Sequence, residues 1–326
     1  MSLPYLLRLF CLCAASFFLV HLVCGVAVST FAPVASRWAF SMRPRVAVRF
    51  LFSLRLLPVL AAALVTFALC VPSYLWLEPA ATREEVGWPF LAAAILGVSL
   101  FGVSATRVFR ALDSTARFTK QCKRAGCDLR IPGETSPLLL VESQAPILAL
   151  AGVWRPRLVI SRAVFEALSR DQLETSLSHE RGHQLSRDNV KRLLLLLAPP
   201  MLPFVAGFEA LEQAWTRLSE WAADDFAAAE NPNRSLSLAS ALVRIARMGA
   251  PPRLSRICTT LVGESSDLAE RVNRLLQPAK CIPEPRVGLR LLATSVVSLL
   301  GVFVAGIVVR PATLNAVHEL LERFIH

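Results

Sequence analysis

Residues 178–189 read SHERGHQLSRDN. His179 and His183 stand four apart with Glu180 between them, the pattern H-E-x-x-H. On a helix, residues at this spacing share one face about a turn from each other, so both imidazoles can reach a single ion. The chemistry served is Zn²⁺ binding by two imidazoles, with the glutamate as general base on the water that the metal activates. A solvated helix face with ordinary hydrogen-bonded histidines is the plainer alternative. Placement favours the metal. Ser169, followed three residues on by Gln172, forms a capping box that starts a helix near Arg170, and Leu173 and Leu177 give that helix an apolar stripe.

A catalytic zinc takes three protein ligands and keeps one position open. Of the five histidines, His21 lies in an apolar stretch and His318 and His326 lie in the tail, all out of reach. The third ligand is therefore expected to be a carboxylate. Glu220 is the candidate. Asp224, a turn later on the same face, is placed to accept a hydrogen bond from a liganding histidine and fix its tautomer. Ala222 and Ala223 would let the two helices approach closely, whereas Asp225 faces elsewhere, toward solvent.

The elements that must position these residues are set in an unusually apolar chain. Of 326 residues 54% are hydrophobic and 18% charged, against about a quarter charged in an ordinary soluble domain. Charge-free stretches at Leu9 to Ser36, Leu56 to Leu77, Val86 to Thr106 and Leu291 to Val309 are long enough to span a hydrocarbon core. The net charge of +11 reads as topology rather than nucleic-acid binding. The loop from Arg37 to Arg55 holds five arginines and no acid, the loop from Glu78 to Gly87 holds one arginine against three glutamates, and a basic run follows Arg107. Positive-inside bias then puts the N-terminus outside and residues 107–290 in the cytoplasm of a bacterial-type inner membrane. A cleaved signal peptide is disfavoured, because the first apolar run is too long and its n-region holds only Arg8. Of the eight cysteines, Cys11, Cys13, Cys24 and Cys70 read as packing residues of the spans, Cys122 and Cys127 as reduced thiols, and Cys258 and Cys281 lack a useful spacing.

Three parts follow: a three-span unit over 1–106, a cytoplasm-facing domain over 107–286, and a last span with a short outer tail over 287–326. A basic amphipathic helix is expected from Arg107 to about Lys123, leaving along the membrane surface. Apolar runs at 138–142, 147–151 and 157–160 read as strands, punctuated by Pro146 and by Gly152 to Pro156. They either offer an edge to an extended substrate or simply cover the metal helix. Residues 193–208 are apolar but broken by Pro199, Pro200 and Pro203, which suits a kinked or re-entrant segment better than a span. The chemistry agrees, since His183 and Glu220 must meet one ion and a single crossing between them would part them. Helices are expected at 211–230, 235–249 and 264–277.

With its flanks GVWRPRLVIS and LSEWAADDFAA, the sequence LSHERGHQLSRDN resembles the membrane metallopeptidases of the BlaR/MecR antirepressor type, which are gluzincins with a cytoplasm-facing site. The resemblance covers most of the chain, including three spans before the domain and one after it. It implies a mainly α, multi-span membrane protein with a gluzincin-type domain and a small β-sheet between the third and last transmembrane helices. It also implies Zn²⁺ ligands His179, His183 and Glu220, the base Glu180, and structural roles for Arg187 and Asp188. The expected partners are a protein substrate, by resemblance a cytoplasmic DNA-binding repressor, and the lipid bilayer, with no direct nucleic-acid contact. The chain departs from the family in Ser186, where a first arginine is usual, and in having about 17 residues after the last span, too few for a penicillin-binding sensor. Residues 107–290 contain no tyrosine, so an oxyanion-stabilising residue would have to be Arg181, Arg187 or another arginine. HtpX-type quality control of membrane proteins and a non-catalytic scaffold with a structural zinc remain alternatives.

Overall fold

The computed structural model describes residues 5–77, 87–129, 138–201, 207–249, 257–261 and 268–277. The expected last span and tail, with Cys281, His318 and His326, lie outside the described residues. The described residues are mainly helical and form one small mixed sheet.

Among the described residues, three helices are long and apolar enough to cross a membrane: Tyr5–Ser41, Pro44–Trp76 and Trp88–Ala125. The first is α1 (Tyr5–Ser41). The second runs through α2 (Pro44–Val65), a π-helical turn at Thr66–Cys70 and α3 (Val71–Leu77). The third is α4 (Trp88–Ala125).

Two expectations are corrected. The arginine-rich stretch 37–55 is not a loop, because α1 runs to Ser41 and α2 starts at Pro44, whose fixed φ suits a first helical turn. Nor does a separate surface helix begin at Arg107, since α4 continues unbroken to Ala125. The onset of charge marks a change of surroundings rather than an end of the helix.

Beyond α4 come strands β1 (Gly126–Leu129), β2 (Leu138–Val141), β3 (Leu148–Ala151) and β4 (Arg157–Ser161). A two-residue strand, β5 (Thr259–Thr260), completes the sheet in the order β1-β2-β4-β3-β5. The β2–β4 pair is parallel and the others antiparallel. β2 and β3 are apolar at every position because both faces are covered. Leu139, Val141, Ala149 and Val159 meet Phe118 and Cys122 of α4. Leu138, Leu140, Leu148, Leu150 and Ile160 face the helices that follow. β5 occupies the outer side of β3, pairing Ala149 with Thr260 and Leu150 with Thr259. At those positions the strands over 147–160 do not offer the edge that one of their two expected readings gave them.

The remaining helices are α5 (Arg162–Ala167), α6 (Arg170–Ser186), α7 (Asp188–Leu197), α8 (Phe208–Ala228), α9 (Pro232–Arg247) and α10 (Leu268–Leu276). The capping box is present, with Ser169 Oγ accepting from the Gln172 amide and Gln172 Oε1 accepting from the Ser169 amide. α7 breaks at Ala198–Pro200, where the prolines cannot continue it. A second core joins α8 to the first two long helices, with Leu211, Trp215 and Leu218 packed against Val28, Ala32, Ala35, Val48 and Leu51.

Candidate metal centre

α6 and α8 cross closely because of two small residues. A Cβ on Gly182 would sit 3.2 Å from Ala223 Cα and 3.3 Å from Phe226 Cδ1, so glycine and alanine set the separation. Ala222 turns instead toward the core shared with α1 and α2. This crossing brings His179 and His183 of α6 to Glu220 of α8, all three buried.

The donor atoms converge. The two Nε2 atoms are 3.1 Å apart. His179 Nε2 lies 3.4 Å from Glu220 Oε2, and His183 Nε2 lies 3.5 Å from Glu220 Oε1. Four tetrahedral ligands at about 2.0–2.1 Å from zinc stand about 3.3 Å from one another, so these spacings fit that ion. The donor types also fit, two imidazoles and a carboxylate.

An aspartate stands behind each imidazole. Asp188 Oδ2 is hydrogen-bonded to His183 Nδ1 at 2.8 Å, and Asp224 Oδ1 lies 2.9 Å from His179 Nδ1, within ion-pair range but without hydrogen-bond alignment. Burial alone would raise both aspartate pKa values. Arg271 and His179 hold Asp224 down to about 2, and His183 and Lys191 do the same for Asp188. Glu180 has no such support. It is fully buried and neither carboxylate oxygen has a hydrogen-bond partner. Burial therefore pushes its carboxyl up to about 7, against the pull of His179 and His183.

Of the residues singled out in the sequence, His179, Glu180, His183, Glu220, Asp224 and Asp188 are brought together. Arg187 contributes through its backbone: its side chain is exposed, but its φ of 54° ends α6 and lets α7 begin at the next residue. That turn delivers Asp188 to His183. Asp225 is exposed and pairs with Arg274 at 2.6 Å.

Arg271 was not foreseen. It is buried on α10, donating from Nε and Nη2 to the two Asp224 oxygens at 2.9 and 2.7 Å and from Nη1 to the Leu261 carbonyl at 2.7 Å. The same Nη1 is 3.1 Å from Glu220 Oε2. The sequence does contain a trace of it, since Arg271 falls on the apolar stripe of Leu268, Val272 and Leu275, where a charge demands a partner. Ser219, donating to Asp188 Oδ2 at 2.8 Å, and Lys191, donating to Oδ1 at 2.8 Å, were also missed. Among arginines that could approach a reacting oxygen, Arg192 comes within 3.8 Å of Glu220 Oε1, whereas the Arg187 side chain points to solvent.

The profile of peptidase family M48 matches residues 113–279, just over half of the chain. The chain belongs to peptidase family M48. The matched region holds the H-E-x-x-H helix, α8 and Arg271, and M48 peptidases are in general zinc-dependent. With its apolar helices this M48 chain is a membrane metallopeptidase. Among solved structures, a crystal structure of Ste24p from S. mikatae is similar over 76% of this chain and 80% of that one, with 13% identity and a TM-score of 0.29. No curated protein sequence matches the chain.

Proposed function

We propose that this M48 chain is a zinc endopeptidase of the gluzincin type that hydrolyses a protein substrate at the cytoplasmic face of a bacterial-type inner membrane. The observation that carries the reading is Glu180, an unpartnered and fully buried acid beside three converging metal donors. A purely structural metal site has no use for such a group, whereas proton transfer near neutral pH needs one.

When bound, zinc would polarise the scissile carbonyl and make a water nucleophilic near neutral pH. The chain's own residues do the rest. Asp188, hydrogen-bonded to His183, and Asp224, 2.9 Å behind His179, favour the proton of each imidazole on Nδ1, which would leave both Nε2 atoms free to hold the ion. Glu220 completes the donor set from the second helix. Glu180 takes a proton from the attacking water and passes it to the leaving amine.

The arrangement of basic residues supports the cytoplasmic placement. The division into a membrane unit over 1–106, a peptidase domain over 107–286 and a last span with tail over 287–326 is part of the same proposal, with α4 running through the first boundary. The motif's resemblance to antirepressor peptidases supports a repressor as substrate.

Purified protein in detergent should release peptides from casein, and Glu180→Gln should abolish the release while zinc stays bound. Equal inertness of both proteins with zinc bound would overturn the peptidase reading in favour of a scaffold. Partners trapped on Glu180→Gln and identified by mass spectrometry would separate a repressor from membrane proteins undergoing quality control.

A further inference from the structure

The turn between β3 and β4 carries an exposed aromatic that the metal chemistry does not use. Trp154 is 78% exposed, and its neighbours Val153 and Arg155 differ sharply from it. Val153 is buried in a small cluster with Ala111, Leu193, Leu196 and Ile257, and Val108 packs on the same cluster. Arg155 is exposed. The turn itself is firmly placed, because Asn189, next to the metal-site residue Asp188, donates to the Leu150 and Gly152 carbonyls at 3.0 and 2.6 Å. Gly152 supplies the positive φ of 105° that the turn needs.

The long helices show where the turn stands relative to a bilayer. α4 opens at Trp88, which is 76% exposed, and about 20 residues of helix, about 30 Å, separate it from Val108. That is the thickness of a hydrocarbon core. Trp76, at the end of the second long helix, is similarly exposed. The same length of helix measured back from it reaches Leu56, beside the buried Arg55. Tyr5 and Tyr74 are joined by a hydrogen bond at that aromatic end, and the same distance along α1 from Tyr5 ends at Gly25. There the side chain of Met201, just past the break in α7, closes on the α1 backbone. Three helices thus agree on one level for the second interface, and Val153 touches that level at Val108.

Around it the surface suits a headgroup layer. Phe109 and Leu197 are exposed apolar residues on α4 and α7. Arg110 and Arg155 are exposed, and no acid occurs between Trp88 and Leu112. Tryptophan with arginine beside an apolar span is the composition that settles at a membrane interface, the ring among the headgroups and the guanidinium on anionic phosphate.

We infer that the turn Gly152–Pro156 is a membrane anchor, with Trp154 seated in the headgroup layer of an anionic bilayer. The inference rests on the three helices crossing a membrane, and it narrows the substrate class of the proposed peptidase. The metal centre then stands close above the lipid, because α7 starts at Asp188 and packs Leu193 and Leu196 on the interface cluster, about 12 Å of helix away at most. A polypeptide reaching Glu180 would be one that emerges from, or lies along, the bilayer surface.

The test needs no enzymatic activity, so it separates from failure of the peptidase reading. Full-length protein and Trp154→Phe would be placed in nanodiscs of phosphatidylcholine with phosphatidylglycerol, made with ordinary lipid or with lipid brominated high on its acyl chains. The wild-type minus variant emission isolates Trp154. Loss of at least about half of that difference in brominated lipid, with a blue-shifted maximum in ordinary lipid, is the expected result for an interfacial indole. An unquenched difference peaking where water-exposed tryptophan emits would overturn the inference.

Discussion

Asp224 has two tasks that compete for its oxygens: it stands behind His179 at 2.9 Å, and it receives both forks of Arg271 at 2.7 and 2.9 Å. Without Arg271, a buried carboxylate of this kind would lose its main compensating charge, and Glu220 would lose a neighbour at 3.1 Å. Arg271→Met should therefore weaken zinc binding by about 10–100-fold, the usual scale for groups that hold metal ligands in place. Arg271→Lys should recover little of it, because an ammonium cannot engage both Asp224 oxygens in a planar fork. Competition with a zinc-selective chelator measures the affinity, and the two variants falling on either side of wild type would contradict the assignment. Asp188→Asn should act similarly through His183, since the amide keeps the shape but cannot stabilise a proton on Nδ1 as a carboxylate does.

At the scale of the element, the metal centre is a crossing of two helices, and the crossing depends on Gly182. A methyl group there would meet the Ala223 Cα at 3.2 Å, a backbone atom that cannot swing aside. Gly182→Ala is expected to cost about 1–3 kcal/mol through overpacking, offset in small part by better helix propensity, and Gly182→Val should cost more. Because α6 carries two ligands and α8 the third, the same variants should lower zinc affinity in the same order. Thermal unfolding and metal titration on one preparation test both. A stabilised Gly182→Ala protein with unchanged zinc affinity would show that the helices have room to spare.

For the molecule as a whole, α8 belongs to two structures at once. One end presents Glu220 to the metal histidines, and an earlier turn presents Glu212 to Arg55 of α2 at 2.8 Å, with the Arg55 guanidinium over the Phe208 ring at 4.2 Å. Arg55 is buried whereas Glu212 is a third exposed, so it is loss of the glutamate that leaves an uncompensated buried charge, at up to about 3–5 kcal/mol. Glu212→Met should therefore lower the unfolding temperature in detergent markedly, and the double variant Arg55→Met with Glu212→Met should recover much of the loss. If the single and double variants are equally unstable, the pair is not what joins the membrane helices to the peptidase helix. Much of this organisation was legible beforehand where the determinants are local. The H-E-x-x-H spacing, the capping box at Ser169, the apolar strands and the Glu220–Asp224 step each lie within a turn or two of chain, and the period of a helix or strand alone dictates which side chains share a face. Glu220 itself could be named because the three other histidines were expected in an apolar span and in the tail. Arg271 could not, since it meets Asp224 across 47 residues, and nothing in its own helix says which acid it will find. The unbroken α4 and the arginine-bearing ends of α1 and α2 were misread for a related reason: charge reports the medium around a helix, whereas the hydrogen-bond ladder that continues it is indifferent to that medium. The sequence alone determined the candidate donors and the elements that bear them. Only the tertiary structure decided how those elements are held against the membrane helices, because burying a charge is paid for by partners from distant parts of the chain.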